Sequence, residues 1–154
     1  MLTIRERIEE SDDTAAESLT LAFADRRRSR LRARLDGGEE CALVLPRGLV
    51  LQEGDRLRAE DGRVVAVRAA AEQVSTARCD DRRLLARACY HLGNRHVPVE
   101  VGDGWARYLH DHVLDEMVRG IGLVVVSEKV PFEPEGGAYG AGKAAHEHEH
   151  GHDD

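Results

Sequence analysis

The sequence predicts a mainly β N-terminal domain, an α+β ferredoxin-like C-terminal domain of order βαββαβ, and a disordered His-rich tail. Three observations predict it. Up to about residue 70, short runs of alternating or β-branched apolar residues are broken repeatedly by Gly, Pro and Asp. After residue 71, strand-like runs are interleaved with two helical stripes. From residue 133 apolar content fades, and the chain ends in alternating His and Glu. The divisions that follow are residues 1–70, a β-rich domain, 71–140, an α+β domain, and 141–154, a flexible tail.

In the first half, residues 18–23 and 29–35 alternate with a period of two, while 41–45 and 63–67 are short buried-strand runs. Asp36-Gly37-Gly38, Pro46-Arg47-Gly48, Glu53-Gly54-Asp55 and Asp61-Gly62 supply turns between them. Strands this short and this often interrupted predict a small barrel or sandwich. No nucleophile, base or metal ligand stands out, so this half reads as a scaffold or protein-binding module.

In the second half, residues 73–77 form a strand and Asp80 caps a helix over 81–92. That helix aligns Leu84, Leu85, Ala88, Cys89 and Leu92 on one stripe and stops at Gly93-Asn94. A strand over 96–101, a turn at Gly102-Asp103-Gly104 and a strand over 105–108 follow. The second helix spans 109–119, with Leu109, Val113 and Met117 on one ridge beside Leu114, Val118 and Ile121. Residues 123–126 close the sheet as a β-branched strand.

The chain has 154 residues and a net charge of -7, and only 4% of it is aromatic. Both figures argue against nucleic-acid binding, which needs local positive charge and stacking surfaces. The basic stretch over residues 25–35 reads as a solvated strand face, because Arg30, Arg32 and Arg34 alternate with Leu31, Ala33 and Leu35. The three cysteines, Cys41, Cys79 and Cys89, form no C-x-x-C pair and no disulfide framework, which points to a reducing cytoplasm. The first ten residues carry no apolar leader, and no long uncharged run predicts a membrane span.

All eight histidines lie at or after His91. Neutral imidazole suits nickel, copper and zinc, so the pattern points to a protein that handles a divalent metal ion. In an extended tail His146, His148, His150 and His152 project to the same side as a row of nitrogen donors. A solvated acidic tail is the plain alternative, and Gly151 with Asp153-Asp154 argues against a cloning tag. His146-Glu147-His148-Glu149-His150 fits H-E-x-x-H, but without an apolar stripe to bury it the segment is no protease helix.

Three histidines in the folded part need separate weighing. On the strand over 96–101, Val97, Val99 and Val101 face the helices, which puts His96, Pro98 and Glu100 on the open face. There a symmetry mate can bring a second His96 opposite the first. A hydrogen-bonded surface histidine beside a turn is the alternative. His110 and His112 point about 200° apart on a regular helix and cannot chelate one ion from it, though from a non-helical entry they can. Asp111 beside them is equally explained by the helix dipole. His91, in the last turn of the first helix, is best read as a dipole partner.

The segments Tyr90-His91-Leu92-Gly93-Asn94-Arg95-His96-Val97-Pro98, Arg107-Tyr108-Leu109-His110-Asp111-His112-Val113-Leu114-Asp115-Glu116-Met117 and Pro131-Phe132-Glu133-Pro134-Glu135 resemble the urease accessory protein UreE family. The resemblance extends to Leu43-Val44-Leu45-Pro46-Arg47-Gly48 and so covers essentially the whole chain. It implies a cytoplasmic nickel metallochaperone that binds Ni2+ as a homodimer and delivers it for assembly of the urease active site. It further implies a peptide-binding N-terminal domain and a C-terminal domain for metal binding and dimerisation. Within that resemblance His96 matches the interfacial metal ligand, His110 and His112 match a secondary surface site, and the tail histidines add supporting ligands. The implied partners are the urease accessory GTPase and the urease apoprotein complex. Cu2+ and Zn2+ suit the same donors. A cytoplasmic zinc, copper or nickel buffer and a metal-controlled protein-interaction adaptor are the alternatives. An enzyme is not expected, because no base is paired with a nucleophile.

Overall fold

The computed structural model describes residues 1–9 and 14–136. The chain divides into two compact units, Met1–Ala70 and Ala71–Glu135. The first is a six-stranded mixed sheet of β1 (Leu2–Ile8), β2 (Glu17–Leu21), β3 (Arg30–Arg34), β4 (Glu40–Val44), β5 (Arg56–Ala59) and β6 (Val64–Ala69), with a one-turn helix α1 (Phe23–Arg26). The strand order is β2-β6-β5-β1-β4-β3, in which β1 with β4 and β2 with β6 are parallel. Ile4, Leu19, Leu43, Leu57, Val65 and Val67 fill its core. Alternation delivers this packing in β3, where Leu31 and Ala33 face the core while Arg30, Arg32 and Arg34 stay exposed. Residues 18–23 were expected to be strand throughout, but the strand ends at Leu21 and the chain turns into α1.

Asp36 ties the end of β3 back to β2. Its carboxylate accepts from Ser18 Oγ at 2.6 Å, Thr20 Oγ1 at 2.9 Å and Thr20 N at 3.2 Å. The Ser18 hydroxyl above all holds this carboxyl below its usual range, against a smaller opposing effect of burial. One side chain thus satisfies donors that an edge strand would otherwise leave open.

The second unit runs β7 (Ala71–Arg78), α2 (Arg82–Asn94), β8 (Glu100–Gly102), β9 (Trp105–Leu109), α3 (His112–Ile121) and β10 (Val124–Pro131), the expected βαββαβ order. Its four strands lie in the order β10-β7-β9-β8, all antiparallel. Ala77, Tyr108 and Val125 pack against Ala88 and Leu92 of α2 and Leu114 and Val118 of α3. Burying a side chain such as Leu92 stabilises by roughly 1.5–3 kcal/mol. Gly122 ends α3 at φ +127°, a conformation that favours glycine. A Cβ on Gly102 would collide with the indole of Trp105, its cross-strand partner.

Three expectations need correction here. The cap of α2 is Asp81, whose carboxylate accepts from Arg83 N and Leu84 N, because the helix starts one residue later than its apolar stripe suggests. The strand expected over 96–101 shrinks to Glu100–Gly102, because His96 leaves α2 in a left-handed turn and residues 97–99 pair with no strand. The second helix begins at His112, since Leu109 still pairs with Val74 in the sheet and Asp111 is the cap.

Candidate metal centre

The α2 helix carries the first candidate past its C-terminus. Its last residue is Asn94, Arg95 is the cap, and His96 N donates to Gly93 O at 2.9 Å. That is the bond pattern of a left-handed helix stop, a position usually held by glycine. Here it is held by histidine at φ +61°, and among the described residues no other non-glycine has positive φ. The sequence placed the stop at Gly93-Asn94, whereas both of these residues are still helical. His96 therefore does not stand on the open face of a strand. It stands exposed at the negative end of the α2 dipole, where a cation is favoured. A left-handed L-residue costs about 1–2 kcal/mol, and such positions cluster at functional sites.

Val97 and Val99 pack against the helical core as expected, while Val101 is 49% exposed. Glu100 does lie on the sheet face away from the helices, but it is already engaged. Arg107 sits 3.5 Å from Glu100 and 3.6 Å from Glu128, donates to Thr76 Oγ1 at 2.9 Å, and stacks 4.4 Å from the Trp105 ring centroid. Thr76 Oγ1 in turn donates to Glu128 at 2.6 Å. These carboxylates have a resident cation in Arg107. Sequence reasoning missed this cluster because its members come from four strands.

The second candidate lies where β9 passes into α3. His110 is in the non-helical entry to α3, its backbone N–H donating to Gln73 O at 3.1 Å. Asp111 caps α3, accepting from Val113 N at 2.9 Å and Leu114 N at 3.0 Å. His112 is the first helical residue, and its Nε2 lies 3.2 Å from Glu116 on the exposed surface. The two histidines thus flank a cap, with only His112 in the helix itself. On its inner side His110 Nδ1 meets Asp115 Oδ2 at 3.3 Å and Ser75 Oγ at 3.2 Å. Asp115 is buried, and its Oδ1 accepts from the Tyr108 hydroxyl at 2.7 Å. Burial, followed by the Asp115 carboxylate, pushes the Tyr108 phenol well above its usual range, so it remains an O–H donor.

His91 lies in the last turn of α2, edge-on to Tyr90 at 5.2 Å. Burial raises the thiols of Cys41, in the core, and of half-buried Cys89, which makes both less reactive. Among the described residues no three His, Cys, Asp or Glu side chains converge to hold an ion. His146, His148, His150 and His152, with the tail they belong to, lie outside the described residues.

Residues 3–70 match the family model for the UreE urease accessory protein N-terminal domain, and residues 72–154 match that for its C-terminal domain. The chain belongs to the UreE family of urease accessory proteins. The UreE of Alkalilimnicola ehrlichii is 61% identical over 140 residues, covering 91% of this chain and 85% of its own. That of Vibrio parahaemolyticus is 56% identical over 132 residues, covering 86% and 83%. That of Proteus mirabilis is 56% identical over 123 residues, covering 80% and 76%. As a UreE, this chain is an accessory chaperone and not an enzyme, with a β N-terminal domain and an α+β C-terminal domain. No helix among the described residues is long and apolar enough to cross a membrane.

Proposed function

We propose that this UreE is a cytoplasmic nickel metallochaperone whose tightest site forms between two copies of the chain, with one His96 from each. The observation that carries this reading is the left-handed, exposed His96 just past α2, a backbone position where glycine would be more stable. A side chain kept there against strain is explained by a ligand. One imidazole per chain, in a chain whose described residues gather no three donors, makes a partner copy the natural source of the second. Water or tail imidazoles from His146, His148, His150 and His152 complete the shell. His110 and His112 form a secondary site at the head of α3.

An ion held by two fixed protein ligands is released more readily than one in a closed tetrahedral cage, which suits transfer. Delivery runs to the urease apoprotein complex through the accessory GTPase. The β N-terminal domain supplies a peptide-binding surface, and the segment over 71–140 supplies metal binding and dimerisation. Cu2+ outbinds Ni2+ at imidazole on intrinsic affinity, so nickel is selected by supply and by partner. Substituting His96→Ala should abolish the tightest nickel event in calorimetric titration while the dimer stays folded. Unchanged high-affinity binding in that variant would refute the assignment.

A further inference from the structure

We infer that Asp115, anchored by Tyr108, is a positioning residue that fixes His110 with its proton on Nδ1 and its Nε2 lone pair turned outward to a metal ion. The inference rests on the reading of His110 as a secondary ligand. A neutral imidazole has one N–H, and its place is set by what the other side of the ring meets. Here the inner nitrogen, Nδ1, faces Asp115 Oδ2 at 3.3 Å and Ser75 Oγ at 3.2 Å. A carboxylate offers only lone pairs, so an Nδ1 lone pair would be repelled there and an Nδ1–H is attracted. Asp115 cannot turn away, because its other oxygen accepts from the buried Tyr108 hydroxyl at 2.7 Å.

A helix-capping role does not explain this carboxylate. Asp111 already caps α3, and Asp115 is 4% exposed among Leu114, Val118 and Tyr108, where an unpartnered charge is costly. Its partners are a phenol whose O–H points at it and an imidazole half exposed on its far side. His112 has no comparable support. Its Nε2 meets Glu116, and the two side chains are 78% and 66% exposed. The two histidines are therefore unequal, with His110 preorganised and His112 an adaptable helper.

The substitution Asp115→Asn gives a sharp test. The amide oxygen must keep accepting from Tyr108, which leaves the amide NH2 facing His110 Nδ1. That donor demands a lone pair on Nδ1 and moves the proton to Nε2, closing the outward nitrogen to metal. In the full-length, metal-free protein, long-range 1H–15N spectra should show His110 as the Nδ1–H tautomer, and as the Nε2–H tautomer in Asp115→Asn. Titrating Zn2+ as a diamagnetic probe, the midpoint of the His110 ring shifts should rise about 10- to 100-fold in that variant. Adding Tyr108→Phe frees the amide to rotate and should restore part of both signals. A merely structural role would move neither the tautomer nor this rescue.

An unchanged His110 tautomer in Asp115→Asn overturns the inference. If that variant does not fold, Asp115→Ala serves: with the carboxylate gone the preference for Nδ1–H should fall, and a His110 tautomer population indistinguishable from the parent's overturns the inference in the same way. Failure of the ligand reading looks different. Zn2+ would then leave the His110 ring signals unmoved in the parent protein, whatever tautomer they report.

Discussion

Replacing His96 by glycine should make the protein more stable while removing its tightest nickel site. The left-handed backbone at His96, φ +61°, costs an L-residue about 1–2 kcal/mol that glycine does not incur. Glycine adds freedom to the unfolded chain, which returns about 0.4–1 kcal/mol of that gain. The imidazole is exposed, and no side-chain hydrogen bond to it is found among the described residues, so its loss removes little. The net is a gain of about 0.5–1 kcal/mol in the Ala71–Glu135 unit. For a unit of this size that is a rise of roughly 2–8 °C in its melting midpoint. His96→Ala keeps a Cβ in the same conformation and should lie within about 0.5 kcal/mol of the parent. Urea unfolding of the three chelator-treated proteins at one protein concentration measures the difference, and parallel nickel titrations should show both variants without the tight event. If His96→Gly were no more stable than the parent, the strain would not exist. The case that histidine is kept there for a ligand would then lose its physical basis.

Further outcomes follow from the same structure. Asp36→Ala removes three hydrogen bonds from the edge of β2 and should cost about 1 kcal/mol near neutral pH, as an exposed carboxylate warrants. Because folding lowers the Asp36 pKa, that contribution is present above the unfolded value, about pH 4, and is lost as pH falls through the folded one. Unfolding curves of parent and variant should therefore converge in acid, and a gap that persists there would contradict the linkage. Deleting residues 144–154 should lower the number of nickel ions bound while leaving the tightest calorimetric event in place. Loss of that event would favour the buffer reading, in which the tail is the main sink.

Much of the second unit was legible because amphipathic spacing reports burial directly. Leu84, Leu85, Ala88 and Leu92 do face the core from α2, and Leu114 and Val118 from α3. The ends were less legible, since an end is set by hydrogen bonds that periodicity does not record. Leu109 fits the helical ridge but is held in β9 by its pairing with Val74. The first strand escaped notice for a related reason: its register shifts between Ile4 and Glu6, which breaks the alternation that would reveal it. At the candidate site, His110 and His112 were visible as residue types, while Asp115 drew no notice within the helix expected over 109–119. Its role shows only when Tyr108, His110 and Ser75 are placed around it.

The sequence by itself carried the family resemblance in its ordered motifs, and it determined the division into strand-rich and mixed halves and the inventory of imidazoles, because composition and periodicity are properties of the chain taken locally. Only the tertiary structure decided what those imidazoles meet. It moved His96 from a strand face to the left-handed stop of α2, a matter of one backbone angle that no side-chain pattern encodes. It also brought a carboxylate five residues along the chain, and a hydroxyl from another strand, to the inner nitrogen of His110. Such convergence depends on where a strand hands over to a helix, and that is fixed by packing across the whole unit.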